Sequence, residues 1–150
     1  MSERRVVVTG MGLVTPLGVG VDAVWQRLLN AESGAGRIKK IDTTDLAVNI
    51  ACEVPLGEAV PDFNADFWVS PKDQRRIDDF IIFGLSAAEQ ALADAEWKPE
   101  GEEDRLRTGL LVGSGIGGLP SIEAAAITLH ERGPRRISPF FIPGSLINLL

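Results

Sequence analysis

Two short apolar runs, each followed directly by glycines, most constrain how this chain can fold. Residues 6–9 (Val-Val-Val-Thr) run into Gly-Met-Gly, and residues 108–112 (Thr-Gly-Leu-Leu-Val) run into Gly-Ser-Gly-Ile-Gly-Gly. Continuous β-branched and aliphatic runs of this length, ended by glycine, are typical of strands buried on both faces of a sheet. The sequence therefore predicts a sheet covered on both sides.

Helical patterns alternate with these runs. Asp22 precedes apolar residues at helical spacing, which predicts a helix ending near residues 33–34. Ser70 followed by Pro71 is a helix start, and the spacing beyond it predicts one helix over 70–95. A third helix is predicted over 121–132, ended by Gly-Pro. Strands alternating with helices predict the α/β class with a largely parallel sheet.

The single cysteine, Cys52, lies in a segment with a period of two. Residues 48–54 alternate apolar and polar side chains, which predicts a half-buried strand with Cys52 on its apolar face. A buried thiol of this kind is expected to be inert. One cysteine cannot form an internal disulfide, in agreement with a reducing compartment.

Composition and charge exclude several classes of function. The 150 residues are 45% hydrophobic and 24% charged, which is typical of one globular domain over residues 1–150. A net charge of −6 argues against nucleic acid as the main partner. No membrane span and no signal peptide are predicted, so the expected location is the cytoplasm.

Cys52 and His130 cannot supply the ligands of a metal site, and no such site is predicted. His130 is expected at the surface.

The last residues look like the interior of a protein. Residues 144–150 are apolar and have the pattern of a helix that has just begun. We therefore expect this sequence to be the front of a longer chain, in which chemistry-bearing residues follow Leu150.

Gly113, Gly115 and Gly118 satisfy the G-x-G-x-x-G pattern of dinucleotide-binding proteins. The context disagrees, because no acidic residue ends a second strand about 20 positions later, where the ribose would be held. A nucleotide-dependent oxidoreductase therefore stays a remote alternative. The simpler interpretation is a tight turn that needs glycine.

Three segments together resemble the β-ketoacyl-acyl carrier protein synthases. They are residues 7–18 (VVTGMGLVTPLG), 113–118 (GSGIGG) and 134–143 (PRRISPFFIP), in the order and spacing of that family. Ile116 inside the glycine loop and the Ser-Pro-Phe-Phe run are more similar to the type II elongating synthases than to type I.

The resemblance implies the thiolase-like fold, a five-layered αβαβα arrangement of two similar halves, of which this chain would cover most of the N-terminal half. It implies a homodimer that needs no cofactor. The family transfers an acyl group to a cysteine, decarboxylates malonyl-acyl carrier protein and joins the resulting carbanion to the acyl group. That cysteine and two histidines are expected beyond Leu150, so no catalytic residue is assigned here. Cys52 and His130 match none of them.

Two functional contributions are implied for this segment. Ile116 and Phe141 match family positions that line the fatty-acyl tunnel, with ordinary core packing as the alternative. Basic residues match positions that receive the acidic acyl carrier protein: Lys72, Arg75, Arg76, Arg135 and Arg136. The first three share one face of the predicted helix, opposite its apolar stripe. The alternative is a solvated face partly neutralised by Asp73, Asp78 and Asp79.

A second hypothesis is a non-catalytic, synthase-like partner subunit of a polyketide system. The residue at the nucleophile position would separate it from the enzyme. Chain-length preference and the choice between fatty acid and polyketide pathways cannot be decided from these residues. Residues 1–150 alone are expected to aggregate or to be molten, because a sheet edge and an apolar face would be exposed.

Overall fold

The computed structural model describes residues 4–150, which form two compact units. The first contains residues 4–64 and Ser86–Glu96, and the second contains Ala65–Leu85 and Trp97–Leu150. That residues 1–150 are the N-terminal part of a single domain stays a prediction.

Short strands and helices follow one another along residues 4–150. In chain order they are β1 (Val14–Thr15), β2 (Gly18–Val19), α1 (Val21–Leu29), β3 (Gly36–Arg37), β4 (Ile50–Ala51), a 3-10 helix (Ala65–Phe67), α2 (Pro71–Gln74), α3 (Asp79–Asp94), α4 (Glu102–Arg107), α5 (Leu119–Arg132), a 3-10 helix (Pro134–Arg136), α6 (Phe141–Ser145) and a 3-10 helix (Ile147–Leu149).

The first unit contains both strand pairs. β1 and β2 pair antiparallel with Val14 opposite Val19, and β3 and β4 pair antiparallel with Gly36 opposite Ala51. The glycine segment that follows residues 6–9 is fixed on α3, because side chains of that helix accept from its backbone. Asp94 Oδ2 accepts from the Met11 N–H at 2.9 Å.

The prediction of buried strands at residues 6–9 and 108–112 is wrong for the described chain. Neither segment is a strand, and their aliphatic side chains are exposed, Leu111 to 99%. Residues 48–54 form only the two-residue β4. Within residues 4–150 the sheets pair only antiparallel, and the one parallel contact is a bridge between Leu56 and Phe63, so the predicted parallel sheet is not formed. Strands are stable only when a neighbouring segment completes their hydrogen bonds, and none of the described residues does so here.

Cys52 is exposed, which corrects its predicted burial. It follows β4 directly, and both residues of β4 are themselves exposed. Alternation of apolar and polar residues shows which side of a strand a packing layer would cover. It does not supply that layer.

Helices are predicted better than strands. The first predicted helix is present as Val21–Leu29 but ends four to five residues before the predicted 33–34. The third is confirmed as Leu119–Arg132, which begins two residues earlier than predicted and ends at Gly133 with φ +79°. The single helix predicted over 70–95 is instead α2 and α3, separated by residues 75–78. The Asp78 N–H donates to the Gly144 carbonyl at 3.0 Å, so it makes no bond within a continuous helix. The helix predicted to begin at residue 144 begins at Phe141 and ends at Ser145.

No helix in residues 4–150 is long and apolar enough to cross a membrane.

Candidate functional site

A cavity of about 260 Å³ in the second unit contains four of the seven predicted site residues. Arg75, Arg76, Arg136 and Phe141 all line it. Ser121, Thr128 and Ser138, which carry hydroxyl groups, belong to the same lining. We call this the arginine cavity. Three arginines, three hydroxyl-bearing residues and two phenylalanines suit an anion attached to an apolar group.

Arg75 is positioned by the end of α2. Ser70 begins this helix as predicted, because its hydroxyl accepts from the Asp73 N–H at 3.3 Å and donates to the Asp73 carboxylate at 2.7 Å. After one turn the chain leaves the helix at Arg75. The Arg75 Nε donates to the Pro71 carbonyl at 3.1 Å, which orients the guanidinium group.

Arg76 is held from two sides. Its Nη1 lies 3.5 Å from the Asp73 carboxylate, and its guanidinium carbon lies 4.6 Å from the centre of the Phe140 ring. The ring face attracts the cation without removing its charge. Arg76 is therefore a partly neutralised but well-oriented cation.

Arg136 is brought to the cavity by the turn after α5. Gly133 ends α5 at positive φ, and the 3-10 helix Pro134–Arg136 follows, with the Arg136 N–H bonded to the Gly133 carbonyl at 3.2 Å. Arg135 lies in the same turn and is exposed, as is Lys72 in α2, and neither lines the cavity.

The acidic residues near these arginines differ in role. Asp73 forms an ion pair with Arg76, which agrees with the alternative prediction of a solvated basic face that aspartates partly neutralise. The Asp78 carboxylate is used differently: it accepts from the Asp79 N–H at 3.0 Å and from the Ser121 N–H at 3.3 Å. Neutralisation of the basic face is therefore partial.

The two predicted acyl-contacting residues lie on separate segments of the second unit. Ile116 is 69% exposed in the glycine loop before α5, whereas Phe141 is half-buried at the start of α6 and lines the arginine cavity. The loop is fixed to α6, since the Gly118 N–H donates to the Ser145 carbonyl at 2.9 Å. Gly117 needs to be glycine because its φ is +85° and a Cβ there would lie 2.7 Å from the same carbonyl oxygen.

The structure argues against the nucleotide interpretation of the glycine loop. Residues 108–112 before the loop are not a strand, and the Ser121 N–H in the first turn of α5 is bonded to Asp78. A phosphate would need those backbone N–H groups, and the chain's own carboxylate competes for them.

Residues 4–150 contain no group of three His, Cys, Asp or Glu side chains arranged to hold a metal ion. His130 is exposed in the last turn of α5, as predicted.

Sequence reasoning missed three residues that build the site: Phe140 under Arg76, Asp78 and the buried Ser145. The sequence pattern predicts Asp78 only as a surface charge. Consecutive Asp78 and Asp79 inside a predicted helix were the available signal, because aspartate favours helix starts over helix interiors. Ser145 gave no usable signal.

A second cavity, of about 320 Å³, lies in the first unit and was not predicted. Arg37, Lys39 and Lys40 line it together with Glu53. The Glu53 carboxylate accepts from the backbone N–H groups of Lys39 and Lys40, at 2.9 and 3.3 Å.

This chain is similar to known proteins over nearly its whole length. The family model "Beta-ketoacyl synthase, N-terminal domain" matches residues 3–150. The chain is 54% identical over 147 residues to the 3-oxoacyl-[acyl-carrier-protein] synthase 2 of Rhizobium meliloti (strain 1021). The aligned region covers 97% of this chain and 35% of that protein. It spans about a third of the length of the curated relatives that it matches.

Solved structures support the same assignment. A β-ketoacyl synthase from Burkholderia phymatum STM815 superimposes with a TM-score of 0.73 at 27% identity, over 98% of this chain and 35% of the other. The ishigamide ketosynthase/chain length factor gives 0.72 at 28% identity, over 94% and 34%. The predicted α/β, thiolase-like fold class is confirmed. This chain belongs to the β-ketoacyl synthase family, whose N-terminal domain it matches.

Proposed function

We propose that this chain is the N-terminal part of a type II 3-oxoacyl-acyl carrier protein synthase. The observation that carries the proposal is the 54% identity, over nearly the whole chain, to a protein of that name. In the proposed reaction a cysteine thiolate takes the acyl group from acyl carrier protein and releases the carrier thiol. Malonyl-acyl carrier protein then loses CO₂, and its carbanion attacks the acyl thioester, which forms the C–C bond and frees the cysteine.

The described residues supply recognition, and the nucleophile is proposed to follow residue 150. Cys52 is not assigned that role, because it is exposed beside β4 in a segment that contains none of the three motifs that resemble the family. No resident cofactor is required, since the thiolate and the malonyl group supply all the electrons of the new bond.

The arginine cavity and its neighbours Lys72 and Arg135 are proposed to receive acyl carrier protein. These carriers are acidic, and a cationic patch on a chain of net charge −6 attracts an acidic partner locally. The hydroxyls and arginines of the cavity also suit a phosphodiester, the anion that links a carrier protein to its prosthetic group.

Ile116 and Phe141 are proposed to contact the acyl chain. Both present large apolar surface, and Ile116 is exposed enough to meet a ligand or a partner subunit. We also propose a homodimer, and the cytoplasm as its location. The exposed aliphatic side chains of this chain are consistent with a large interface.

The deciding experiment is to trap the acyl-enzyme. The full-length protein is incubated with acyl carrier protein that carries a long acyl chain, in the absence of a malonyl donor. The acylated peptide is then mapped by mass spectrometry. We expect one thioester, on a cysteine after residue 150, in the wild type and in Cys52→Ser alike. A thioester on Cys52 would overturn the proposal. No thioester on any residue would favour the non-catalytic partner subunit.

Carrier docking is tested by charge reversal. Arg75→Glu and Arg136→Glu in the full-length protein should each weaken carrier binding about tenfold at low salt, chiefly through the association rate. The matched control is Arg107→Glu on α4, an exposed arginine outside the cavity. Equal losses in all three variants would indicate a general charge effect and contradict a defined docking surface.

A further inference from the structure

Asp78 lies where three segments of the second unit meet. Its carboxylate accepts from the N–H of Asp79 at the start of α3 and from the N–H of Ser121 in the first turn of α5. Its own N–H donates to the Gly144 carbonyl of α6 at 3.0 Å. One residue therefore binds the starts of two helices by its side chain and a third helix by its backbone.

The loop before α5 and helix α6 also bind each other directly. The Gly118 N–H donates to the Ser145 carbonyl at 2.9 Å, and Ser145 is buried. The Ser145 hydroxyl donates to the carbonyl of Phe141. The loop that carries Ile116 is thus bonded to α6 directly, through Gly118 and Ser145, and α5, which continues that loop, is bonded to α6 through Asp78.

We propose that Asp78 is a positioning residue that sets the placement of Ile116 relative to Phe141, and through it the length of acyl chain that the site accepts. This inference rests on the proposed acyl site. Asp78 bonds to backbone groups, so its effect on an acyl chain passes through the two side chains it positions.

The carboxylate group is required because it uses both oxygens. Oδ1 accepts from the Asp79 N–H and Oδ2 accepts from the Ser121 N–H. An asparagine has one acceptor oxygen in its side chain and would lose one of these hydrogen bonds, and an alanine would lose both. The backbone at Gly118 packs against the same side chain, since a Cβ at Gly118 would lie 3.0 Å from Asp78 Cβ and Cγ. Space and hydrogen bonding therefore both favour aspartate.

The test compares Asp78→Asn and Asp78→Ala with Glu123→Gln in the full-length protein. Glu123 lies on α5, is exposed and is outside the arginine cavity, so its variant removes one negative charge from the same unit. The measured quantity is the ratio of kcat/KM for a long and a short saturated acyl-carrier protein. We expect Asp78→Ala to change this ratio about tenfold, Asp78→Asn to change it less, and Glu123→Gln to leave it unchanged.

A purely structural role gives a different result. Loss of folded protein lowers activity toward both substrates by the same factor, so an unchanged ratio in Asp78→Ala would overturn the proposal. Hydrogen exchange provides the second measurement. Asp78→Ala should speed exchange in both residues 113–122 and residues 141–147, and faster exchange in only one of them, or in neither, would also overturn it.

The two proposals can fail separately. A wild-type protein that elongates no acyl chain overturns the proposed function and with it the selectivity role of Asp78. The exchange measurement then still decides whether Asp78 couples the loop to α6. If the wild type elongates acyl chains and Asp78→Ala has the same ratio of kcat/KM for long and short substrates, the proposed function is unaffected and only the role of Asp78 is overturned.

Discussion

Residues 108–112 and residues 113–121 adjoin in the sequence and differ sharply in what the rest of the chain provides for them. The first segment is mostly apolar and exposed, and within residues 4–150 it pairs with no other segment as a strand. The second is fixed by hydrogen bonds to Asp78 and Ser145. A helix start needs only a few acceptors nearby, whereas a buried strand needs whole neighbouring segments on both edges and both faces.

The same contrast occurs near the beginning of the chain. Val6, Val7 and Val8 are exposed, while the next segment is fixed on α3 by Asp94 and Gln90. In the curated relatives from Rhizobium meliloti and Vibrio harveyi, about two thirds of the protein lies outside the matched part. If this protein has such a remainder, as proposed above, it would provide the layer that covers the apolar runs.

The strongest test of this contrast uses two phenylalanines. Phe63 is 3% exposed and Phe67 is 75% exposed. In the full-length protein Phe63→Ala should lower the free energy of unfolding by about 3 to 5 kcal/mol, because it leaves a cavity. Phe67→Ala should change it by less than about 0.5 kcal/mol. Urea unfolding measures both, and an equal loss at Phe67 would show that residues outside this chain cover it.

Leu111 gives the next largest effect. If the remainder of the protein covers it, Leu111→Asp should destabilise the full-length protein by about 2 to 4 kcal/mol, the cost of burying a charge or of neutralising it. In a polypeptide of residues 1–150 the same change should reduce aggregation, measured by light scattering, because Leu111 is exposed there. A loss of stability in the short polypeptide, or none in the long one, would contradict the proposal.

The start of α2 predicts a smaller effect. Ser70→Ala removes the hydroxyl that accepts from the Asp73 N–H, so it should cost about 1 kcal/mol of stability. It should also loosen Arg76, since Asp73 then loses one of its two partners. Thermal unfolding measures the first effect. Ser70→Thr should restore most of the stability, and failure of that rescue would mean that the hydroxyl is not the stabilising group.

The smallest effect concerns the loop at Asp42. The Thr44 hydroxyl, and after it the Thr44 N–H, lower the pKa of the Asp42 carboxyl below its ordinary value. A lowered pKa favours the folded state at pH values above the ordinary one, and this contribution is lost as the pH falls through the lowered pKa. By NMR titration, Thr44→Val should raise the pKa toward the ordinary value, whereas Thr43→Val should not.

Local signals in the sequence predicted α1, α5 and the cap at Ser70, whereas α2 and α3 were expected as one helix and α4 was not predicted. The Ser70-Pro71 start, the apolar spacing of α3 and the Gly133 stop each act within a few residues, so the sequence alone determines them. Four of the seven site residues meet in one cavity because three short turns, at residues 75–76, 134–136 and 140–141, lie together in the second unit.

What the sequence did not predict depends on distant partners. Burial of Cys52 and of residues 6–9 was inferred from hydrophobicity, which indicates a preference for burial and says nothing of the segment that would provide it. The role of Asp78 is hidden from the sequence for a related reason. Its partners, Ser121 and Gly144, lie 43 and 66 positions away, and no pattern within a helix indicates them.

The division of α3 between the two units has a consequence for synthesis of the protein. The first unit is completed by residues 86–96, which leave the ribosome only after residues 65–85 of the second unit. Neither unit can finish folding before the other has begun to appear, so vectorial synthesis cannot simply complete one and then the other. A nascent chain arrested shortly after residue 64 should remain sensitive to protease, and protection of the first unit should arise only once α3 has fully emerged.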